Sequence, residues 1–514
     1  MSTVASPVFT AEEFLSSEQQ KDLLRLVTAG SVDDGKSTLL GRLLYDSQSV
    51  YEDQLHAVKR ASRGDLELAL LTDGLRAERE QGITIDVAYR YFSTAKRKFI
   101  LADTPGHEQY TRNMATGASN ADLAILLVDA NRGIQPQSKR HAYIIGLLGI
   151  RHLVVLINKM DLVGYSETVF EELKQELLDA IGELSFGSIE FFPVSASSGV
   201  NVVHRSSSTP WFGGPPLLEY LESVDVQKRE DARPFRFPVQ LVQRTSDFRG
   251  YSGQIATGTI SVGDEIVVLP SQRRTRVKSI ATFDGELESA RAPQSVTLTV
   301  DDEIDISRGD VLVSGEGLPQ IGQGFRAQII WFSEQPLDPD RKYLLKHTAQ
   351  ATRAHVRVDS RLDIHSLQSE SAYTLEMNDI GSVIVESDRP LVFDAYEQSR
   401  RTGSFILIDP DSNNTVAAGM IAEALGDASG KVASQNGLVI PVAADNPDLD
   451  LIRSYINSSG TDAVFVSNWN KRAIDLLIEA GIHVVVTANL EAGVEDQYRF
   501  GTVHGLIERL SSSR

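Results

Sequence analysis

The stretch "GSVDDGKSTLLGRLLYDS", residues 30–47, decides the fold. It satisfies G-x-x-x-x-G-K-S, with the apolar run "LLRLVTA" before it and a helix-forming run from Lys36 after it. A strand, a glycine-rich loop and a helix in that order make a phosphate-binding loop. The loop spans Gly30, Ser31, Val32, Asp33, Asp34, Gly35, Lys36 and Ser37. Its glycines let backbone N–H groups wrap phosphates at a helix N-terminus. Lys36 is expected to reach the β- and γ-phosphates, and the Ser37 hydroxyl to ligate Mg²⁺.

Two further elements follow, each at the end of an apolar run. "DTPGH" comprises Asp103, Thr104, Pro105, Gly106 and His107. Asp103 is placed to hold Mg²⁺ through water, Gly106 to sense the γ-phosphate with its N–H, and His107 to orient an attacking water. "NKMD" comprises Asn158, Lys159, Met160 and Asp161. A carboxylate at Asp161 can accept both the N1 and N2 protons of guanine. Adenine offers no such pair and would leave the carboxylate unmatched, which selects GTP. "SAS", beginning Ser195–Ala196, supports the base from its other side. Thr84, in "EREQGITID", is the candidate switch threonine, whose hydroxyl and carbonyl would hold Mg²⁺ and the γ-phosphate and let go after hydrolysis. Thus His107, Thr84 and Lys36 are expected to carry catalysis, and Ser37, Thr84 and Asp103 to hold the metal.

The 514-residue chain has room for three or four domains. "KFILADT", "LAILLVDA" and "HLVVLINK" read as strands buried on both faces, as in parallel α/β sheets. "VFEELKQELLDAIGEL", residues 169–184, has helical spacing, and "SSSTPWFGGPPLLEYL" reads as a break. From about residue 233 the pattern changes to short strands between Gly turns, the signature of small β-barrels. The expected organisation is an N-terminal extension (1–20), a G domain (21–228), β-barrels over 229–322 and 323–425, and a small α/β segment over 431–514 after a linker. The fold class is therefore an α/β P-loop G domain followed by two β-barrel domains and a small C-terminal α/β segment. That last segment holds no second phosphate loop.

Cysteine is absent, which removes disulfides, thiolate zinc sites and cysteine nucleophiles, and fits a cytoplasmic protein. No run of about 18 apolar residues occurs, and the N-terminus lacks a secretory pattern, so no membrane partner is expected. A net charge of -20 opposes non-specific attraction to nucleic acid.

Together these strings resemble the translational-type GTPases, with a G domain followed by two β-barrels as in elongation factor Tu. Those factors usually carry His before the second loop glycine and Thr after the lysine, where this chain has Asp34 and Ser37. "AGSVDDGKSTLLGRLLYDS", "LTDGLRAEREQGITIDVAYRYFST", "DFRGYSGQIATGTISVGDEIVVLPS" and "DEIDISRGDVLV" are closer to the GTPase-subunit family of bacterial sulfate adenylyltransferases. The resemblance covers residues 20 to about 424. It implies GTP and Mg²⁺ as cofactors. It also implies a smaller adenylyl-transfer subunit as partner, in a heterodimer or a multimer of heterodimers. GTP hydrolysis would drive that partner's conversion of ATP and sulfate to adenylyl sulfate and diphosphate, the first step of sulfate assimilation. The resemblance admits one main alternative, an elongation-factor-like translational GTPase. The barrel region, with "DDEIDIS" and no sustained Lys/Arg run, speaks against RNA delivery. A stand-alone switch for another partner is a third reading. In some relatives an adenylyl-sulfate kinase is fused at the C-terminus, but residues 431–514 are too short for one and read as a remnant or docking module.

Overall fold

The computed structural model describes residues 21–47, 84, 86–182, 184–226, 230–245, 248–364 and 366–425, and three strand pieces beyond them. The N-terminal extension, most of "EREQGITID", the linker and most of the C-terminal segment lie outside the described residues. Two compact units divide the chain, Met1–Ala424 and Leu425–Arg514.

The first unit begins with an α/β layer. Its strands are β1 (Asp22–Ala29), β2 (Ala88–Ser93), β3 (Arg97–Asp103), β4 (Leu123–Asp129), β5 (His152–Asn158) and β6 (Ser188–Pro193). Helices α1 (Lys36–Asp46), α2 (Thr111–Ala118), α3 (Pro136–Leu147), α4 (Glu167–Ile181) and α5 (Leu217–Ser223) connect or follow them. The sheet order is β2-β3-β1-β4-β5-β6, with only β2 antiparallel to its neighbour. Every residue of β4 is buried. Ile125 and Leu127 pack into one hydrophobic core with Leu39 and Leu43 of α1; Leu126 and Val128 pack into another with Ile144 and Ile145 of α3. Burial on both faces is why these strands read as unbroken apolar runs rather than as alternation.

Helix α4 begins two residues before the sequence pattern suggests, because Ser166 caps it by accepting the Val169 N–H at 3.4 Å. The stretch read as a break contains most of α5. Pro215 and Pro216 precede its first turn, where a missing N–H costs nothing, and the prolines open the helix instead of interrupting it.

Two closed six-stranded barrels follow. The first consists of β7 (Arg236–Arg244), β8 (Arg249–Gln254), β9 (Glu265–Leu269), β10 (Arg273–Thr282), β11 (Ser295–Val300) and β12 (Val311–Ser314). Around the ring the order is β9-β12-β7-β8-β11-β10, and β9–β10 pairing closes it. The second consists of β13 (Gln320–Trp331), β14 (Lys342–His347), β15 (Gln350–Leu362), β16 (Ile380–Phe393), β17 (Ser404–Ile408) and β18 (Thr415–Ala424). Its ring runs β14-β17-β18-β13-β16-β15, closed by β14–β15. Closure leaves no unpaired edge. The alternating burial of β15 shows one face toward a core built on Phe325, Trp331 and Phe393.

In the second unit, β19 (Val439–Pro441), β20 (Ala463–Val466) and β21 (His483–Val486) form a parallel sheet in the order β19-β21-β20.

A buried ion pair ties the barrels together. Arg236 of β7 meets Asp394, just past β16, at 3.0 Å (Nη2–Oδ1) and 3.1 Å (Nε–Oδ2). Thr402 donates to the same carboxylate at 2.7 Å, and Arg236 also donates to the Gly317 carbonyl. Both charged side chains are less than a tenth exposed. Truncating one partner strands the other charge, at a cost of roughly 3–5 kcal/mol. Arg236→Ala is therefore expected to melt well below the native chain, whereas Arg274→Ala, which breaks an exposed pair with Glu265, is expected to shift it little. Thermal denaturation of both variants checks this; equal shifts would contradict it.

Candidate functional site

Because β1, β3, β4 and β5 run parallel, their C-terminal ends open at one edge of the sheet. In α/β sheets that edge is where ligands bind. The loop after β1 holds residues 30–35, the loop after β3 holds 104–107, and the loop after β5 begins at Lys159. The three motifs, distant in sequence, become neighbours there.

The phosphate loop turns on left-handed residues: Gly30 (φ 140°), Asp33 (φ 67°) and Gly35 (φ 94°). At Gly35 the requirement is steric as well, since a Cβ would sit 2.4 Å from the Asn158 side-chain nitrogen. At Gly106 a Cβ would sit 2.4 Å from Lys36 Nζ and 2.9 Å from the Gly30 carbonyl, so the second loop closes against the first only because this residue has no side chain.

Lys36 is buried at the start of α1. Its Nζ donates to the carbonyls of Gly30 at 2.9 Å and Ser31 at 2.8 Å. An ammonium has three N–H donors, so one remains for a ligand oxygen. Burial lowers its pKa, opposed by the nearby Asp103 and Asp34 carboxylates. A buried ammonium of this kind is favoured by an anion placed against it. Asp103 is itself buried at the end of β3, where its Oδ1 accepts the Thr28 hydroxyl at 2.9 Å, and the Thr104 hydroxyl donates to the Thr28 carbonyl. These bonds fix the carboxylate at the sheet edge. Ser37 lies one residue into α1 and is half-buried.

Asn158 connects three loops. Its Nδ2 donates to the Asp34 carbonyl at 2.8 Å, and its Oδ1 accepts the Ala196 N–H at 3.0 Å. Ser195 is buried among hydroxyls, with Ser198 donating to its Oγ at 2.7 Å. Lys159 adopts the left-handed conformation (φ 60°), and its Nζ pairs with Asp129 at 2.7 Å. Asp161 is exposed. Met160 is fully buried in the core with Phe170 and Leu173, so its side chain packs rather than lining the edge. His107 is exposed, and its Nδ1 accepts the Gln109 N–H at 3.4 Å. Thr84 is half-buried.

Two participants have no local signature in the sequence. His141, on α3, is fully buried and accepts the Gly30 N–H at its Nδ1, 3.0 Å away. Its Nε2 lies 2.9 Å from the Gln137 side-chain amide. Burial, with Lys36 and Arg140 nearby, lowers the His141 pKa to about 3, so it is neutral at physiological pH. The first glycine N–H of the loop is thus turned into the protein. The second participant is Arg132, whose guanidinium donates to the Val32 carbonyl at 3.1 Å.

Asp34 braces the loop from inside by accepting the Ser31 N–H at 2.7 Å through Oδ2, while its buried Oδ1 has no hydrogen-bond partner. Desolvation raises its pKa from 3.8 to about 6, against the opposing pull of Lys36. The folded chain therefore keeps a proton that the unfolded chain releases. The stability this contributes is lost as pH rises from about 4 to about 6.

Comparison with known proteins places these features in a family. Residues 21–227 match the elongation factor Tu GTP binding domain, and residues 324–422 match the GTP-eEF1A C-terminal domain-like family. Sulfate adenylyltransferase subunit 1 of Alteromonas mediterranea is 51% identical over 424 residues, covering 81% of this chain and 90% of that protein. The bifunctional enzyme NodQ of Rhizobium meliloti is 50% identical over 430 residues, 82% of this chain and 67% of that protein. Among solved structures, sup35 complexed with GDP is similar at 26% identity over 79% of this chain and 95% of that one, with a TM-score of 0.37.

Asp34→Asn keeps an oxygen for the Ser31 N–H and removes the buried charge. The variant is expected to be more stable than the native chain near pH 7.5, by on the order of 1–3 kcal/mol, with the gap closing toward about pH 4.5. Denaturation at the two pH values checks this; a gap independent of pH would contradict a desolvated carboxylate.

Proposed function

The chain belongs to the sulfate adenylyltransferase subunit 1 family, and we propose that it is the GTP-hydrolysing subunit of that enzyme. The reading is carried by one observation: a complete phosphate loop and a base-side loop are bound to each other through Asn158 at one sheet edge.

In this reading the loop N–H groups that the protein leaves unengaged and the third Lys36 N–H hold the β- and γ-phosphates of GTP. Mg²⁺ would be held by the Ser37 hydroxyl, the Thr84 hydroxyl and, through water, Asp103. That donor set suits an ion that keeps several waters and takes phosphate oxygens as ligands. Among the described residues no cluster of three His, Asp or Glu forms a separate metal cage. When bound, Mg²⁺ neutralises charge on the transferring phosphate. Gly106 sits against Lys36 and Gly30, where its N–H can sense the γ-phosphate. His107, exposed on the same loop, orients the attacking water. Asp161 accepts from guanine N1 and N2; Asn158, Ser195 and Ala196 hold the base pocket in shape, and the Lys159 stem packs beside it. Met160 contributes from the core side only.

The partner is a smaller subunit that carries adenylyl transfer from ATP to sulfate, assembled with this chain as a heterodimer or a multimer of heterodimers. The energy of GTP hydrolysis drives adenylyl sulfate formation there, and Thr84 is the residue that transmits nucleotide state. Among the described residues no helix is long and apolar enough to cross a membrane. We place the protein in the cytoplasm, where its substrates are. For domain limits we keep 21–228, 229–322 and 323–425, with 1–20 as an extension and 431–514 as a small α/β segment to which no role is assigned.

The test is GTP turnover in the reconstituted pair. ATP and sulfate together should accelerate hydrolysis, and GTP should raise adenylyl sulfate formation. In that assay His107→Ala should slow hydrolysis ~10²-fold or more and leave GTP affinity nearly unchanged. Turnover that ignores ATP and sulfate but responds to ribosomes would replace this reading with an elongation-factor-like one.

A further inference from the structure

A cavity of about 660 Å³ lies where the α/β layer and both barrels meet. Its wall includes Arg112 of α2, Lys346 of β14, and Arg400 and Arg401 from the segment before β17. None of its lining residues is Asp or Glu, in a chain where acidic residues outnumber Lys and Arg 70 to 50. Such segregation of one charge sign is not expected of an ordinary surface crevice on an acidic protein. It raises the local positive potential inside a concave wall.

The four cations are not equally engaged. Arg400 is spent on structure: it donates to the Ala121 carbonyl at 3.3 Å and to the Gly149 carbonyl, beside the Tyr396 hydroxyl that donates to Leu148 at 3.1 Å. These bonds fix the second barrel against the α/β layer and make the cavity a built feature. Arg401 donates to the Gln254 side chain on the first barrel. Arg112 and Lys346 are exposed and form no ion pair among the described residues. The rest of the wall is largely apolar, with Phe332 and Tyr396 in it. An apolar wall of this volume that carries a few charged groups has the composition of a small-molecule site.

We propose that this cavity binds an organic anion carrying a phosphate or sulfate group. The anionic oxygens sit between Arg112 and Lys346, where a guanidinium provides paired N–H donors. The body of the molecule packs on the apolar wall. The site is separate from the guanine-nucleotide edge and contacts α2, the helix that follows the Asp103–His107 loop. The assignment does not depend on the reaction the protein serves.

The test is isothermal titration of the full chain, saturated with GDP, with four anionic probes: inorganic sulfate, inorganic diphosphate, adenosine monophosphate and adenylyl sulfate. Adenosine serves as the neutral control. At least one of the two organic anions is expected to bind at least ~10-fold more tightly than either inorganic ion and than adenosine. The double substitution Arg112→Gln, Lys346→Gln is expected to weaken it ~10-fold or more. GDP affinity in the same variant is expected to be unchanged, which separates this site from the nucleotide edge and shows that the variant is folded. Failure of all four anions to bind overturns the proposal, as does unchanged affinity in the double variant. Binding of the inorganic ions as tightly as the organic ones overturns the assignment of an organic ligand.

Discussion

Asn158 is the residue on which the arrangement of the site depends. Its amide spends a donor on the Asp34 carbonyl and an acceptor on the Ala196 N–H, so one side chain at the end of a central strand holds the phosphate loop and the base-side loop in register. Both bonds are buried, where a lost partner costs roughly 1–3 kcal/mol. Gly35 is required by the same contact, because any side chain there would collide with the amide. The sheet makes the contact possible: β1 and β5 flank β4 in parallel, which brings two chain segments more than a hundred residues apart to the same edge.

Around that tie the loop is held almost wholly by the protein. The Gly30 N–H goes to His141, the Ser31 N–H to Asp34, and the carbonyls of Gly30 and Ser31 to Lys36. A cradle whose shape is prepaid in this way needs little reordering to accept phosphates, the condition under which electrostatic stabilisation is most effective. Its cost is concentrated in Asp34, a carboxylate desolvated to hold one N–H.

Much of this was legible in the sequence because the deciding signals are local. A strand buried on both faces writes itself as an apolar run, as in "LAILLVDA", and the phosphate loop, "DTPGH" and "NKMD" each lie within eight residues. What could not be read depends on pairings between distant positions. His141 sits 111 residues from Gly30 inside a pattern that reads only as helix, and Arg236 finds Asp394 158 residues away. Met160 lies inside a binding motif yet points into the core, which the motif alone does not reveal. The helix at Leu217–Ser223 was hidden by two prolines that also signal helix starts.

The central claim is that the loops joined by Asn158 form one guanine-nucleotide site, with Asp161 reading the base. Competition binding of guanosine and xanthosine triphosphates to the native chain and to Asp161→Asn tests it most directly. The amide offers a donor where xanthine presents its 2-oxo acceptor. The account predicts that the native chain prefers GTP and that the substitution moves preference toward xanthosine triphosphate by about 1–3 kcal/mol or more. Unchanged GTP selectivity in the variant would contradict it.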